Sequence, residues 1–155
     1  MNAIPDPIAA LLVQMCPEVP SVELLAANQE TAEMAIRFEG GREILLSWDG
    51  DSGRLVLAAA LGTPKDFHVA EANRVALAYN GLWRESGGAR VAAVDEQGSL
   101  ALLFDLPGEG LTTRQLGYTV EQMATVTGQW IGFLEQARDD ARELLAAPLS
   151  LMLRA

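Results

Sequence analysis

Residues 63–106 constrain the fold more than any other stretch of the chain. Thr63-Pro64 opens a helix, and Asp66, three residues after Thr63, stands where a capping box has its second member. Asn80-Gly81 stops that helix and the Gly87-Gly88 pair turns the chain. Residues 89–94 and 99–104 then form a β-hairpin through Asp95-Glu96-Gln97-Gly98. The helix is rich in alanine (Ala70, Ala72, Ala76, Ala78), which lets another backbone come close, and its bulky Phe67, Val75, Leu77 and Tyr79 spread around the circumference. A helix apolar on more than one side is covered on more than one side. Burial between a sheet and another helix and contact with a second subunit fit this pattern equally.

The remaining segments read as layers around that unit. Asp6 is placed to cap a first helix with Pro7 at its first position, and Ile8, Leu11, Leu12 and Met15 fall on one face before Pro17 and Pro20 end it. Residues 32–38 alternate, with Ala32, Met34, Ile36 and Phe38 on one side. Gly40-Gly41 turns into residues 43–48, where Ile44, Leu46 and Trp48 share a face. After the turn 49–53, residues 54–61 are apolar on both faces, which places that strand centrally. The three strands make an antiparallel meander.

From Thr112 onward Leu116, Val120, Met123, Thr127, Trp130, Leu134, Ala137, Ala141 and Leu144 recur in alternating steps of four and three. The first half of this seam is expected to be core. Gly128 and Gly132 weaken the helix by roughly 1 kcal/mol each relative to alanine. A helix continued to Ala147 would be about 54 Å long, against a domain of roughly 30–35 Å. It must break or project, so residues 145–155 are expected to be a frayed or projecting tail of a single 1–155 domain.

Charge and chemistry narrow the function. There are 155 residues, 21 acidic against 11 basic, for a net charge of −10. Such a surface repels phosphate backbones and anionic headgroups, so neither nucleic acid nor membrane is expected as a partner. No uncharged run reaches the roughly 18–20 residues of a membrane span, and the N-terminus lacks the basic region of a secretory signal. Cys16 is the only cysteine and His68 the only histidine, which excludes a disulfide framework and an ordinary zinc site and fits a reduced, cytosolic compartment. Cys16 reads as a packing residue and His68 as a surface residue. Asp49-Gly50-Asp51 begins like a calcium loop, but Ala60 occupies the position that needs a bidentate glutamate. The glycine pairs lack phosphate-loop spacing, no Gly-x-Ser-x-Gly elbow occurs, and Asp139-Asp140 reads as solvated charge. No catalytic residue, metal ligand or cofactor site emerges, and function falls to binding surfaces.

The order helix, three strands, helix, hairpin, long helix defines an α+β sandwich. Combined with Asn80-Gly81-Leu82-Trp83, Gly87-Gly88 and the hairpin end Leu102-Leu103-Phe104-Asp105-Leu106-Pro107, it resembles the class I type III secretion chaperones, the CesT- and SycE-like proteins of Gram-negative bacteria. The resemblance spans most of the chain and is strongest over about residues 55–130. It implies a cytoplasmic homodimer, without enzymatic activity or cofactor. Such a dimer binds the N-terminal segment of a secreted effector in extended form and keeps it soluble and export-competent, with the secretion ATPase as a further partner. The family dimerises through the second helix and the strand after it, which here carry Phe67, Ala70, Val75, Leu77, Ala78, Leu82, Trp83, Val91 and Ala93. Its cargo grooves use the first helix and the exposed sheet face, with Ile8, Leu11, Leu12, Met15, Met34, Ile36, Phe38, Ile44, Leu46 and Trp48 as candidates; pattern alone does not say which strand face is groove and which is core. Two readings rank behind: a regulator that binds an activator or anti-activator on the same scaffold, and a small-molecule α+β enzyme, which requires a deep pocket.

Overall fold

The computed structural model describes residues 3–28, 31–136 and 145. Helix α1 (Asp6–Met15) leads through a short 3₁₀ turn into strands β1 (Val22–Asn28), β2 (Glu33–Phe38), β3 (Glu43–Asp49) and β4 (Arg54–Gly62). Helix α2 (Val69–Gly81) follows, then β5 (Arg90–Ala93), β6 (Leu100–Pro107) and α3 (Thr113–Gln136). The strands form one antiparallel sheet in the order β1-β2-β3-β4-β6-β5. The meander thus has four strands, one more than expected. Val22–Asn28 reads Val-Glu-Leu-Leu-Ala-Ala-Asn, with no clean alternation, because it is a mostly exposed edge strand bulged between Val22 and Leu24.

Alternation puts Ile36, Phe38, Ile44, Leu46, Leu55, Leu57, Leu102 and Phe104 on one sheet face, where all are buried. The helices cover this face. Helix α1 contributes Ile8, Leu12 and Met15 to the core, and α3 contributes Leu116, Val120, Met123, Thr127, Trp130 and Leu134, so the described part of the 3.5-residue seam is interior. Helices α1 and α3 meet closely at Gly117, where a Cβ would lie 3.3 Å from side-chain carbons of both Met15 and Val19. Gly128 has a similar reason to be small. Arg42, in the β2–β3 turn, reaches across to α3 and donates from Nη1 to the Ala124 carbonyl at 3.2 Å, through the space a Cβ at Gly128 would fill.

Several local expectations change. Pro5, not Asp6, occupies the N-cap of α1, and no side chain caps it; Asp6 lies inside the first turn, where its charge still favours the positive helix end. Thr63 and Asp66 make no capping box. The Thr63 hydroxyl instead pairs with that of Ser99 at 2.8 Å, and Asp66–His68 forms a 3₁₀ turn before α2 begins. A reciprocal box does open α3. The Thr112 Oγ1 accepts from the Gln115 N–H at 3.2 Å and the Gln115 Oε1 accepts from the Thr112 N–H at 3.1 Å. His68 is buried rather than on the surface, its ring 4.9 Å from that of Phe133. Cys16 packs against the core, donates to the Leu12 carbonyl at 3.2 Å, and burial pushes its thiol up.

At 24 residues α3 is about 36 Å long, close to the expected domain width. The tail expectations for residues 145–155, the seam positions Ala137, Ala141 and Leu144, and Asp139-Asp140 lie outside the described residues, except that Leu145 packs against the core.

Candidate partner-binding surfaces

The first helix and the even-numbered residues of β2 and β3 do not form an open groove. Ile8, Leu12, Met15, Ile36, Phe38, Ile44 and Leu46 are buried between sheet and helices, and Leu11, Met34 and Trp48 are half-buried against the same core. These side chains have exchanged water for one another and, in this fold, are largely not exposed to a partner. The physical cause is the period of two, since residues that share a face with Leu55 and Leu57 share their burial.

The opposite face carries the odd-numbered residues of β2 and β3. The registers align Ala26, Ala35, Leu45, Ala58 and Leu103 into one row that crosses five strands and ends on Arg90 of β5. Val56 and Ala60 flank it on β4 and Leu24 on β1. Leu45 is 46% exposed and Leu24 45%. A depression of about 430 Å³ lies at the β1–β3 end, between Ala26, Ala35, Glu43 and Leu45. Among the described residues β1 pairs only with β2, which leaves its other edge without a strand partner. Sequence held a signal for this face. The strand 54–61 is apolar on both sides, and only one side is buried deeply.

Asp105 stands beside the row, between two arginines. Arg54 donates from Nε to its Oδ2 at 2.8 Å and from Nη2 to its carbonyl at 3.0 Å, and Arg90 donates to its Oδ1. Burial pushes the Asp105 carboxyl up, but the hydrogen bonds and charges of Arg90 and Arg54 together outweigh it and hold the group below the usual aspartate range. A depressed folded pKa contributes stability that is present above the unfolded value, near 3.9, and is lost as pH falls through the folded one. In urea unfolding, Asp105→Asn is therefore expected to be less stable than wild type at pH 7, with the gap closing as pH falls below the usual aspartate range. A gap that stays constant down to acid would refute the assignment.

At the same end of the sheet as Arg90, α2 and β5 carry the residues implied for a subunit contact. Leu77 is 73% exposed and Trp83 58%, with the Arg84 guanidinium 5.0 Å from the Trp83 ring centre. Ala70, Ala78 and Ala93 are also exposed, and Leu82 is half-buried. Val94, 59% exposed, adds a further apolar residue just after β5. Val75 and Val91 are core and support this patch only from beneath; the side chain of Phe67 lies outside the described residues. Asn80 ties the two elements together. Its Nδ2 donates to the Val91 carbonyl at 2.9 Å and its Oδ1 accepts from the Val91 N–H at 2.8 Å. Because the Val94 N–H bonds to the Ser99 carbonyl, alternation turns both Val91 groups away from β6, so Asn80 fills the edge positions of β5. Asn80→Ala is expected to cost about 1–3 kcal/mol in denaturant unfolding and to speed amide exchange at Val91.

Among the described residues, no helix is long and apolar enough to cross a membrane. The sequence profile of the Tir chaperone protein (CesT) family matches residues 22–130. The chain belongs to the CesT family of type III secretion chaperones. Members of this family are binding proteins, not enzymes, which removes the α+β enzyme from the readings open at the sequence. The CesT-type fold here is similar to that in the crystal structure of the ExsC–ExsE complex, with a TM-score of 0.68 and 16% identity over 88% of this chain and 100% of that one. It is also similar to the HopA1–SchA chaperone–effector complex, with a TM-score of 0.59 and 17% identity over 83% of this chain and 99% of that one. An uncharacterized protein from Methanothermobacter thermautotrophicus gives 0.53 at 10% identity, over 82% and 96%. No curated protein matches the chain in sequence.

Proposed function

We propose that this CesT-family chaperone is a cytoplasmic homodimer that holds the N-terminal segment of a secreted effector in extended, non-globular form, keeps it soluble, and delivers it to the secretion ATPase. The observation that carries the reading is the apolar sheet face that no described helix covers, beside the outer edge of β1. An extended segment can add a strand at such an edge and lay alternate side chains on the adjoining face. Ordering a disordered segment costs roughly 2–5 kcal/mol, so a broad contact is needed to offset it. The two complexes of similar fold, ExsC with ExsE and SchA with HopA1, support partner binding on this scaffold. The exposed Leu77, Trp83 and Val94 support dimerisation through α2 and β5. A charge of −10 keeps a protein with open apolar surface in solution.

The test is limited proteolysis. The partner is captured with the chain, identified by mass spectrometry, and recombined with it as purified proteins. Trypsin is expected to leave the partner's N-terminal segment protected and the remainder unaffected. Protection of a folded domain elsewhere in the partner, or of no segment, would sink the reading. A captured transcriptional activator or anti-activator would assign the regulatory role on the same scaffold.

A further inference from the structure

We propose that the outer sheet face recognises a partner segment whose apolar side chains lie along the row from Ala26 to Leu103 and whose carboxylate binds the arginine pair at the β5 end. This rests on the partner-binding reading above and adds the partner's chemistry. Six strands at about 4.8 Å spacing make the row about 24 Å long, the length of roughly sixteen helical residues or seven extended ones.

The two ends of the row differ in charge. Asp105 fixes Arg54 and Arg90 in place, but its carboxylate engages only one donor of each, and its backbone carbonyl one more of Arg54. An arginine has five N–H donors, and both side chains are half-exposed, at 40% and 47%. Asp49 stands opposite Arg54 in register, yet it spends its carboxylate on its own turn, on the Ser52 hydroxyl and the Asp51 N–H. The arginines therefore present a fork already oriented for a second carboxylate. At the other end Glu33 and Glu43 lie next to the row, with Arg37 opposite Glu43. Two acids against one base disfavour a carboxylate there and favour a cation. A segment with an acidic residue at one end of its apolar run and a basic residue at the other would match both ends, and only in one orientation. The long-range field of a chain at −10 attracts basic segments, so the arginine pair is a local exception that adds selectivity to general attraction.

The experiment pans a random dodecapeptide phage library against the immobilised wild-type chain and measures the enriched pool against variants. Enriched sequences are expected to combine an apolar run with at least one Asp or Glu. Capture of the pool is expected to fall about tenfold or more on the double variant Arg54→Gln, Arg90→Gln, and similarly on Ala58→Arg, which fills the row. Leu45→Lys replaces Ala58→Arg if circular dichroism shows that the latter has not folded, and Arg114→Gln, which removes an exposed arginine from α3, is expected to capture normally. A pool with no acidic bias, or one held equally by the double variant, overturns the proposal. If the pool still binds Ala58→Arg and Leu45→Lys, this proposal falls and partner binding through another surface stands. If no version enriches any peptide, the partner-binding reading falls with it. A wild-type oligomer that Ala58→Arg dissolves would make the occupant a second copy and also overturn the proposal.

Discussion

Replacing Trp130 with alanine is expected to lower the free energy of unfolding by about 3–5 kcal/mol, the usual cost of deleting a large buried aromatic ring. Trp130 is fully buried in α3, edge-on to Tyr79 at 5.5 Å and to Phe133 at 5.8 Å. The ring thereby joins α2 to the helix that covers the sheet, and such edge-to-face pairs add about 0.5–1.5 kcal/mol beyond area burial. Against a typical stability of about 5–15 kcal/mol, the loss is large enough to read directly from urea unfolding followed by circular dichroism. Trp130→Phe provides the control. The indole Nε1 meets no hydrogen-bond acceptor among the described residues, so phenylalanine gives up volume but no polar contact and is expected to cost much less. Equal losses for the two substitutions would show that the ring is not the joint described.

The second large effect concerns association. If α2 and β5 form the subunit contact, Leu77→Glu with Trp83→Glu puts two carboxylates where two exposed apolar side chains lie. Each charge would be buried without a counter-ion in the dimer, a mechanism that costs several kcal/mol per site. Both positions are exposed in the single chain, so the fold itself is expected to be unaffected. Light scattering should then change from the mass of two chains to 16.6 kDa, with an unaltered circular dichroism spectrum. A wild type that already runs at 16.6 kDa, or a dimer that survives both substitutions, would exclude this contact.

Much of the architecture was legible because it rests on period and punctuation. Glycine turns bounded β2, β3 and β4, and the two-faced apolar pattern of residues 54–61 marked the central strand. The 3.5-residue seam of α3 marked the core helix. What stayed hidden depends on relations between distant residues. β1 has an irregular pattern because its bulge and exposure relax the constraint that produces alternation. His68 becomes buried because Phe133, far along the chain, comes to lie beside it. Thr63 looks like a cap until the fold brings Ser99 to it. The choice between the two faces of the sheet has the same origin. Alternation separates the residues of β2 and β3 into two sets, but only the placement of α1 and α3 decides which set is covered. Ile36, Ile44 and Leu46, more apolar than their neighbours, went to the covered face, and the open face was left with alanines, Leu45, Val56 and Leu103. The arginine pair around Asp105 comes from three strands and has no local signature.

The amide of Asn80 has a consequence beyond fastening a helix to a strand. A sheet with two receptive edges can be lengthened without limit, copy upon copy, and that is how ordered aggregates grow. β5 is only four residues long, and one residue of its outer edge is already occupied by the side chain. A ladder between copies at β5 would have to forgo pairing at Val91, whereas β1, among the described residues, pairs only with β2. Asn80 thus shortens the receptive edge at β5 and works against open-ended growth of the sheet.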